Sequence, residues 1–225
     1  MQRYVVIVAG GSGTRMQREI PKQFIPVAGK PILMHTLEAF FSADELIEII
    51  LVLPESQVLG WKSLCAQYNF NTPHHITHGG DTRFQSVKNG LAQIPDNIGL
   101  VAIHDGVRPL VSSEIIQTSY QLAEEKGNAI VSVPLKDSIR WAQGENNKVL
   151  NRSEYQLIQT PQTFQVALIK AAFQRGYDPA CTDDATVLES TGEKINLIPG
   201  DYRNIKITTP EDLAVAEAFL ANRLN

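Results

Sequence analysis

The chain opens on an unbroken apolar run, Tyr4-Val5-Val6-Ile7-Val8, which passes without a spacer into Ala9-Gly10-Gly11-Ser12-Gly13-Thr14-Arg15-Met16. A β-branched run of this kind reads as a buried first strand. Glycine at 10, 11 and 13 lets the backbone turn sharply and bring its N–H groups against a ligand with no Cβ in the way. Arg15 and Lys22, the latter within Pro21-Lys22-Gln23-Phe24, set two fixed cations beside those donors. The combination describes a cradle for a polyphosphate. Its spacing excludes two commoner glycine loops. A dinucleotide fingerprint read from Gly11 and Gly13 would need glycine where Met16 stands, and no Gly-x-x-x-x-Gly-Lys-Ser/Thr loop occurs.

Strand-like and helix-like segments alternate along the rest of the chain, which predicts an α/β fold with a mainly parallel sheet. Leu33, Leu37 and Phe40 fall at helical spacing over 31–42, and Leu46 to Leu53 reads as the second strand. Pro54-Glu55-Ser56 starts a helix through Tyr68; His75-Ile76-Thr77 and Leu100 to Ile103 are further strands. A helix over 112–126 and a strand over 129–133 follow. From 134 to 153 the rhythm changes to alternation of Leu135, Ile139 and Trp141 with Lys136, Ser138 and Arg140, around a turn at Gly144-Glu145-Asn146-Asn147. That pattern predicts a hairpin, and its apolar face would need covering, most simply by a second subunit. Helices are expected over 165–176, 183–190 and 210–223, with Thr182 as N-cap of the second and Pro210 in the first turn of the third.

A length of 225 residues suits one domain with a sizeable core. The formal net charge of −4 argues against a general nucleic-acid binder but leaves room for a local cluster of cations facing a phosphate. Cys65 and Cys181 lie far apart without metal-ligand spacing, as expected of free thiols in a reducing compartment. The N-terminus enters a strand without a secretory pattern, and no apolar run approaches the ~20 residues of a membrane span. The expectation is a cytoplasmic protein that meets neither membrane nor nucleic acid.

Ligands of open parallel sheets bind beyond the carboxyl ends of the strands. Three polar clusters fall at such ends: the loop 9–22, Gly79-Gly80-Asp81-Thr82-Arg83 with Ser86 in the next helix, and His104-Asp105-Gly106-Val107-Arg108-Pro109. Ser86 could contact a base or ribose. Asp105 could hold a divalent metal or a substrate hydroxyl, or alternatively cap a helix or pair with Arg108. His104 reads as a structural partner. There is no Gly-x-Ser-x-Gly elbow, reactive-cysteine context or two-histidine metal motif, so the residues suit a reaction run by positioning and charge neutralisation, such as nucleotidyl transfer.

Taken together, these stretches, with Gln159-Thr160-Pro161-Gln162, Thr182-Asp183-Asp184-Ala185 and Asn204-Ile205-Lys206-Ile207-Thr208, resemble in order and over nearly the whole chain the 2-C-methyl-D-erythritol 4-phosphate cytidylyltransferases of non-mevalonate isoprenoid synthesis. The resemblance implies a single Rossmann-like domain over 1–225, of the nucleotide-diphospho-sugar transferase type, with a hairpin dimerisation arm at about 134–157. It implies transfer of a cytidylyl group from CTP to the sugar-alcohol phosphate with loss of pyrophosphate, aided by Mg²⁺. By position in the motifs, Arg15 and Lys22 match transition-state stabilisers. Ala9, Gly10, Gly11, Gly80, Asp81, Ser86, Asp105 and Gly106 match the nucleotide site. Arg152 and Lys206 match the pair that positions the acceptor, with Asp105, Arg108, Ser138 and Thr160 as further contacts. Asp105 is also the residue that would face the metal, most of which the CTP phosphates would hold. In the family the arm crosses a homodimer, so Arg152 would serve the neighbouring subunit. Gly106, Ser138 and Asn151 stand where the family often has Ala, Thr and Asp.

Two other readings compete. A ribitol 5-phosphate cytidylyltransferase would share the glycine loop and Lys22, whereas the hairpin and the 182–185 stretch favour the erythritol enzyme. A non-catalytic nucleotide-binding protein on the same fold predicts loss of Arg15, Lys22 or Asp105, and all three are present.

Overall fold

The computed structural model of the chain describes residues 1–10, 20–95 and 97–221. In chain order, β1 (Arg3–Val8) leads to a tight pair of two-residue strands, β2 (Pro26–Val27) and β3 (Lys30–Pro31), and then α1 (Ile32–Ala43). Next come β4 (Glu48–Leu53), α2 (Glu55–Gln67), β5 (His75–His78), α3 (Arg83–Leu91), β6 (Leu100–Asp105), α4 (Ser113–Lys126) and β7 (Asn128–Pro134). The hairpin is β8 (Ile139–Gln143) and β9 (Asn146–Leu150). β10 (Gln156–Gln165), α5 (Val166–Gln174), α6 (Asp184–Glu189), β11 (Leu197–Pro199) and α7 (Pro210–Ala221) complete the order.

Seven strands form one sheet in the order β11-β7-β10-β6-β1-β4-β5. The pairs β5·β4, β4·β1, β1·β6 and β7·β11 are parallel. β10 is the exception: it runs antiparallel to both β6 and β7, and its register with β7 shifts between Ile158 and Gln162. The fold is therefore α/β with a mainly parallel sheet flanked by helices, as the alternation of segments predicts.

Both faces of the sheet are covered, because successive strand residues point to opposite sides. Val5 and Ile7 of β1, Leu51 of β4 and Leu100 of β6 pack with Leu37 and Phe40 of α1 and Ile116 and Tyr120 of α4. Their neighbours Val6, Val52, Val101 and Ile103 pack on the other side with Val87 of α3 and Ile169 and Phe173 of α5. A third cluster joins Ile25, Val27 and Ile32 to Val107, Ile207 and, from α7, Ala216 and Leu220. This last cluster lies under the segments that carry Arg108 and Lys206.

One sequence expectation is corrected. The N-cap of α6 is Asp183 rather than Thr182: its carboxylate accepts from the Thr186 N–H, and the Thr186 hydroxyl accepts from the Asp183 N–H. An aspartate closes such a reciprocal box one residue deeper than the threonine could. Between the hairpin and the helix expected over 165–176, where the sequence marks no element, the polar stretch 156–165 forms β10, the longest strand described.

The hairpin lies where the alternation places it and forms a two-stranded sheet of its own. Ile139 faces Leu150, and Lys148 reaches over the Trp141 ring at 5.5 Å. Trp141, Val149, Tyr155, Leu157 and Ile158 of this region are all exposed.

α3 sits unusually close to the sheet. A Cβ on Gly90 would come within 2.5 Å of Val6 Cγ1 and 3.0 Å of Val52 Cγ2, both fully buried. Gly90→Ala is expected to destabilise the fold by about 1–3 kcal/mol through overpacking, read as a melting temperature lower by several degrees, although alanine is the better helix former.

A cationic cleft at the carboxyl end of the sheet

The strand order β5-β4-β1-β6 reverses direction of growth at β1, so the crevice beyond the carboxyl ends of β1 and β6 is a topological switch point. One cleft there is lined by Ala9, Gly10, Lys22, Gly80, Asp81, Ser86, Asp105 and Lys206, together with Gln23, Thr82, Arg83 and Val107. Eight of the residues singled out in the sequence are thus brought to one place by four separate segments. Gly11 and Arg15 lie outside the described residues.

Each wall has an identifiable support. Lys22 begins a 3-10 turn over Lys22–Phe24, and its neighbour Gln23, almost wholly buried, ties that turn to the end of β1 by donating to the Ala9 carbonyl at 2.7 Å. The loop after β5 is held by Ser86, whose hydroxyl accepts from the Gly80 N–H at 3.1 Å and donates to the Thr82 carbonyl at 2.9 Å. Thr82 caps α3 by accepting from the Gln85 N–H. A Cβ on Gly80 would stand 2.1 Å from Gln85 Cγ, so the loop can lie this close to its helix only with glycine there.

Asp105, the last residue of β6, is the electrostatic centre. Its Oδ2 accepts from Arg108 Nε at 3.1 Å and pairs with Lys206 Nζ at 3.1 Å. Lys206 reaches it because Ile207 N–H donates to the Val107 carbonyl at 2.9 Å, laying segment 204–208 along the turn after β6. Arg108 also donates to the Asn204 carbonyl at 2.7 Å. Burial alone would raise the Asp105 carboxyl, but the Lys206, Arg108 and Arg83 cations outweigh it and hold the group well below the usual carboxylate range. The pairing with Arg108 weighed in the sequence is present, with Lys206 added to the same oxygen.

The other singled-out residues stand apart from the cleft wall. The Gly106 N–H donates to the Val8 carbonyl at 2.9 Å, within the fold. Thr160 is buried behind the cleft, where its hydroxyl meets the Asp105 N–H at 3.1 Å and His104 Nδ1 at 3.0 Å. Ser138 and Arg152 are exposed on the arm, Arg152 donating to the Lys136 carbonyl.

The model of the 2-C-methyl-D-erythritol 4-phosphate cytidylyltransferase family matches residues 4–222. The chain belongs to this family. A cytidylyltransferase of that name from Phocaeicola vulgatus is 49% identical over 98% of this chain and 100% of its own, and one from Bacteroides thetaiotaomicron is 48% identical over the same shares. Among solved structures, the 4-diphosphocytidyl-2C-methyl-D-erythritol synthase of Anaerococcus prevotii superposes with a TM-score of 0.82 at 31% identity, covering 97% of this chain and 95% of that one. The 2-C-methyl-D-erythritol 4-phosphate cytidylyltransferase of Thermus thermophilus gives a TM-score of 0.78 at 29% identity, over 98% and 100%.

Within this cytidylyltransferase two supporting residues had no role assigned from the sequence, although both fell within quoted motifs. Arg83 lines the cleft and makes a bidentate pair with the fully buried Asp184, at 2.8 and 2.6 Å. Burial opposes the charge on Arg83, but Asp184 more than compensates and its pKa is raised. Gln162 joins the same assembly, donating to Asp183 and accepting from the Ala185 N–H. The signal in the sequence was two acidic residues at the start of a short helix, of which one caps it and the other reaches Arg83.

His104 is fully buried beside this site, and burial lowers its pKa from 6.5 to about 4. The unfolded chain therefore binds a proton in that window that the folded enzyme does not, and stability is lost as pH falls from about 6.5 toward 4. Burial lowers His35 and His74 as well, in the same direction. The His104 contribution between pH 7 and 5 is about 2 kcal/mol. Denaturant midpoints measured at the two pH values should differ accordingly, and His104→Gln should flatten the dependence.

Proposed function

We propose that the cleft transfers the cytidylyl group of CTP to the phosphate of 2-C-methyl-D-erythritol 4-phosphate, as a step of isoprenoid synthesis. An oxygen of that phosphate attacks the α-phosphorus of CTP, a new P–O bond forms, the bond from the α-phosphorus to the bridging oxygen breaks, and pyrophosphate leaves. The observation that carries this reading is the pair of cations held on one carboxylate oxygen, Arg108 and Lys206 on Asp105, in the cleft that Lys22 also lines. Two like charges at ~4 Å repel by about 4 kcal/mol at an effective dielectric of 20. A phosphate nucleophile therefore approaches a triphosphate only where cations are already fixed.

In this reading Lys22, with Arg15, neutralises charge developing at the α-phosphate and on the departing pyrophosphate. Ala9, Gly10, Gly11, Gly80, Asp81, Ser86, Asp105 and Gly106 shape the nucleotide half. Asp105, Arg108 and Lys206 orient the acceptor, with Thr160, Ser138 and Arg152 completing its surroundings. Among the described residues no three His, Cys, Asp or Glu side chains are grouped to hold a metal ion. One ionised carboxylate beside substrate phosphates nevertheless suits Mg²⁺, which binds through few protein ligands and keeps waters. Asp105 would be that ligand, and the bound ion would add charge neutralisation at the triphosphate.

The arm, about 134–157 of a single nucleotidyltransferase domain, is read as the dimer contact. Its exposed Trp141, Val149, Leu157 and Ile158 form an apolar surface that a second subunit would cover. Arg152 would then serve the partner's cleft. Free Cys65 and Cys181 accord with a reducing cytoplasm, and no helix among the described residues is long and apolar enough to cross a membrane.

Pyrophosphate release from CTP and Mg²⁺ tests the acceptor directly: strong preference for 2-C-methyl-D-erythritol 4-phosphate over ribitol 5-phosphate is expected, and the reverse order would overturn the assignment. Lys22→Ala is expected to lower kcat by about 10²–10³-fold with the melting temperature nearly unchanged. Mixed Lys22→Ala and Arg152→Ala subunits should regain part of the activity that each lacks alone. No recovery after demonstrated subunit exchange would place Arg152 in its own subunit's site.

A further inference from the structure

His104 and Asp105 are consecutive on β6 and therefore face opposite sides of the sheet. Asp105 points into the cleft. His104 points into the core, with its ring edge-on to Phe40 at 4.9 Å between centroids. Both ring nitrogens are nevertheless engaged, and both partners belong to the acceptor half of the site. Nε2 stands 3.2 Å from the Arg108 carbonyl, and Nδ1 stands 3.0 Å from the Thr160 hydroxyl.

The direction of this chain of bonds can be deduced. A carbonyl only accepts, so Nε2 must carry hydrogen. A neutral imidazole has one N–H in all, so with Nε2 protonated Nδ1 is the acceptor facing the Thr160 hydroxyl 3.0 Å away. The Thr160 hydroxyl then gives its single hydrogen to Nδ1, and its oxygen accepts from the Asp105 N–H at 3.1 Å. The path runs Asp105 N–H to Thr160, Thr160 to His104, and His104 to the Arg108 carbonyl. One imidazole thus fixes both ends of the Asp105–Arg108 turn, and fastens it to β10.

We propose that His104 is a positioning residue for the acceptor: through Thr160 and the Arg108 carbonyl it sets where the Asp105 carboxylate, and the Arg108 and Lys206 cations paired with it, stand in the cleft. This rests on the reading of Asp105, Arg108 and Lys206 as the acceptor site. Most of the nucleotide half has supports of its own, since Gly80, Ser86 and Lys22 are held by Ser86, Thr82 and Gln23, and Asp105 is the one residue that belongs to both halves. Misplacement of a reacting group by a fraction of an ångström to one ångström reduces turnover by up to about a hundred-fold, so the effect should fall on the acceptor and on kcat.

The test compares His104→Phe, which keeps an aromatic ring but deletes both bonds, with His104→Gln, whose amide can accept and donate at similar spacing. With CTP and 2-C-methyl-D-erythritol 4-phosphate varied separately, H104F is expected to raise the acceptor KM and lower kcat by about ten-fold or more, leaving the CTP KM within about three-fold. H104Q should recover most of the loss. T160V should show the same split, and the H104F/T160V double variant should lose less than the sum of the two single losses, because both single variants remove the Thr160–His104 bond. Equal changes in both KM values, or no change in a folded H104F, would overturn the inference. Nitrogen-15 NMR of labelled histidine supplies a readout independent of turnover, with the signal assigned by its loss in H104Q. A protonated Nε2 and bare Nδ1 at pH 7 are expected, and the opposite tautomer would equally overturn the proposal. If H104F does not fold, H104Q, T160V and the tautomer still decide. A Lys206→Ala variant with an unaltered acceptor KM would instead remove the site reading beneath the proposal, an outcome distinguishable from failure at His104 alone.

Discussion

Asp105 Oδ2 accepts Arg108 Nε from its own turn and Lys206 Nζ from a segment near the far end of the chain, each at 3.1 Å. Two cations can share so small a space only around an anion, and an anion can stay ionised in so buried a position only among cations. The arrangement therefore stands or falls as a unit. Around it the remaining features have recognisable purposes. α7 and the β2–β3 pair bury Val107 and Ile207 and so keep the two cation-bearing segments side by side. Asn204 ties the second segment to β10 by donating to the Thr160 carbonyl at 2.8 Å.

The same physics links stability to function. A carboxylate and a guanidinium held nearly out of water, with a half-exposed ammonium beside them, cost free energy to assemble. That cost is met by the apolar packing on both faces of the sheet, well away from the chemistry. What the assembly leaves at the cleft is fixed positive charge that need not reorganise when a phosphate arrives, the condition under which electrostatic stabilisation is most effective. The nucleotide side is built differently. Gly80, Ser86 and Thr82 form a loop closed mostly by its own hydrogen bonds, which presents backbone rather than charge.

Much of this was legible without coordinates. The β-branched runs ending in Ala9-Gly10 and His104-Asp105 could be placed as neighbouring strand ends because hydrophobic periodicity is a local property and ligand sites in such sheets follow strand termini. The hairpin was legible from its alternation and its turn. β10 was not, because Gln156–Gln165 carries glutamine and threonine at positions that prove buried and hydrogen-bonded, including Gln162 and Thr163. Polar side chains satisfied inside a core leave no periodic signature. The cap of α6 was misplaced by one residue, since Thr182 and Asp183 are both good caps and only the reach to Thr186 separates them.

The sequence by itself determined the alternation of elements, the three polar strand ends and the family, since each is encoded in residue order, spacing or motif. Only the tertiary structure decided which of those residues share one atom. Arg83 meets Asp184, Lys206 meets Asp105, and His104 turns its back to the cleft while bonding to Thr160 and Arg108. All but the His104–Arg108 bond are contacts between segments far apart in the chain, set by strand order and by which face of β6 each side chain occupies. No local pattern in the residues carries that information, because it is created when the sheet closes and the helices bury its two sides.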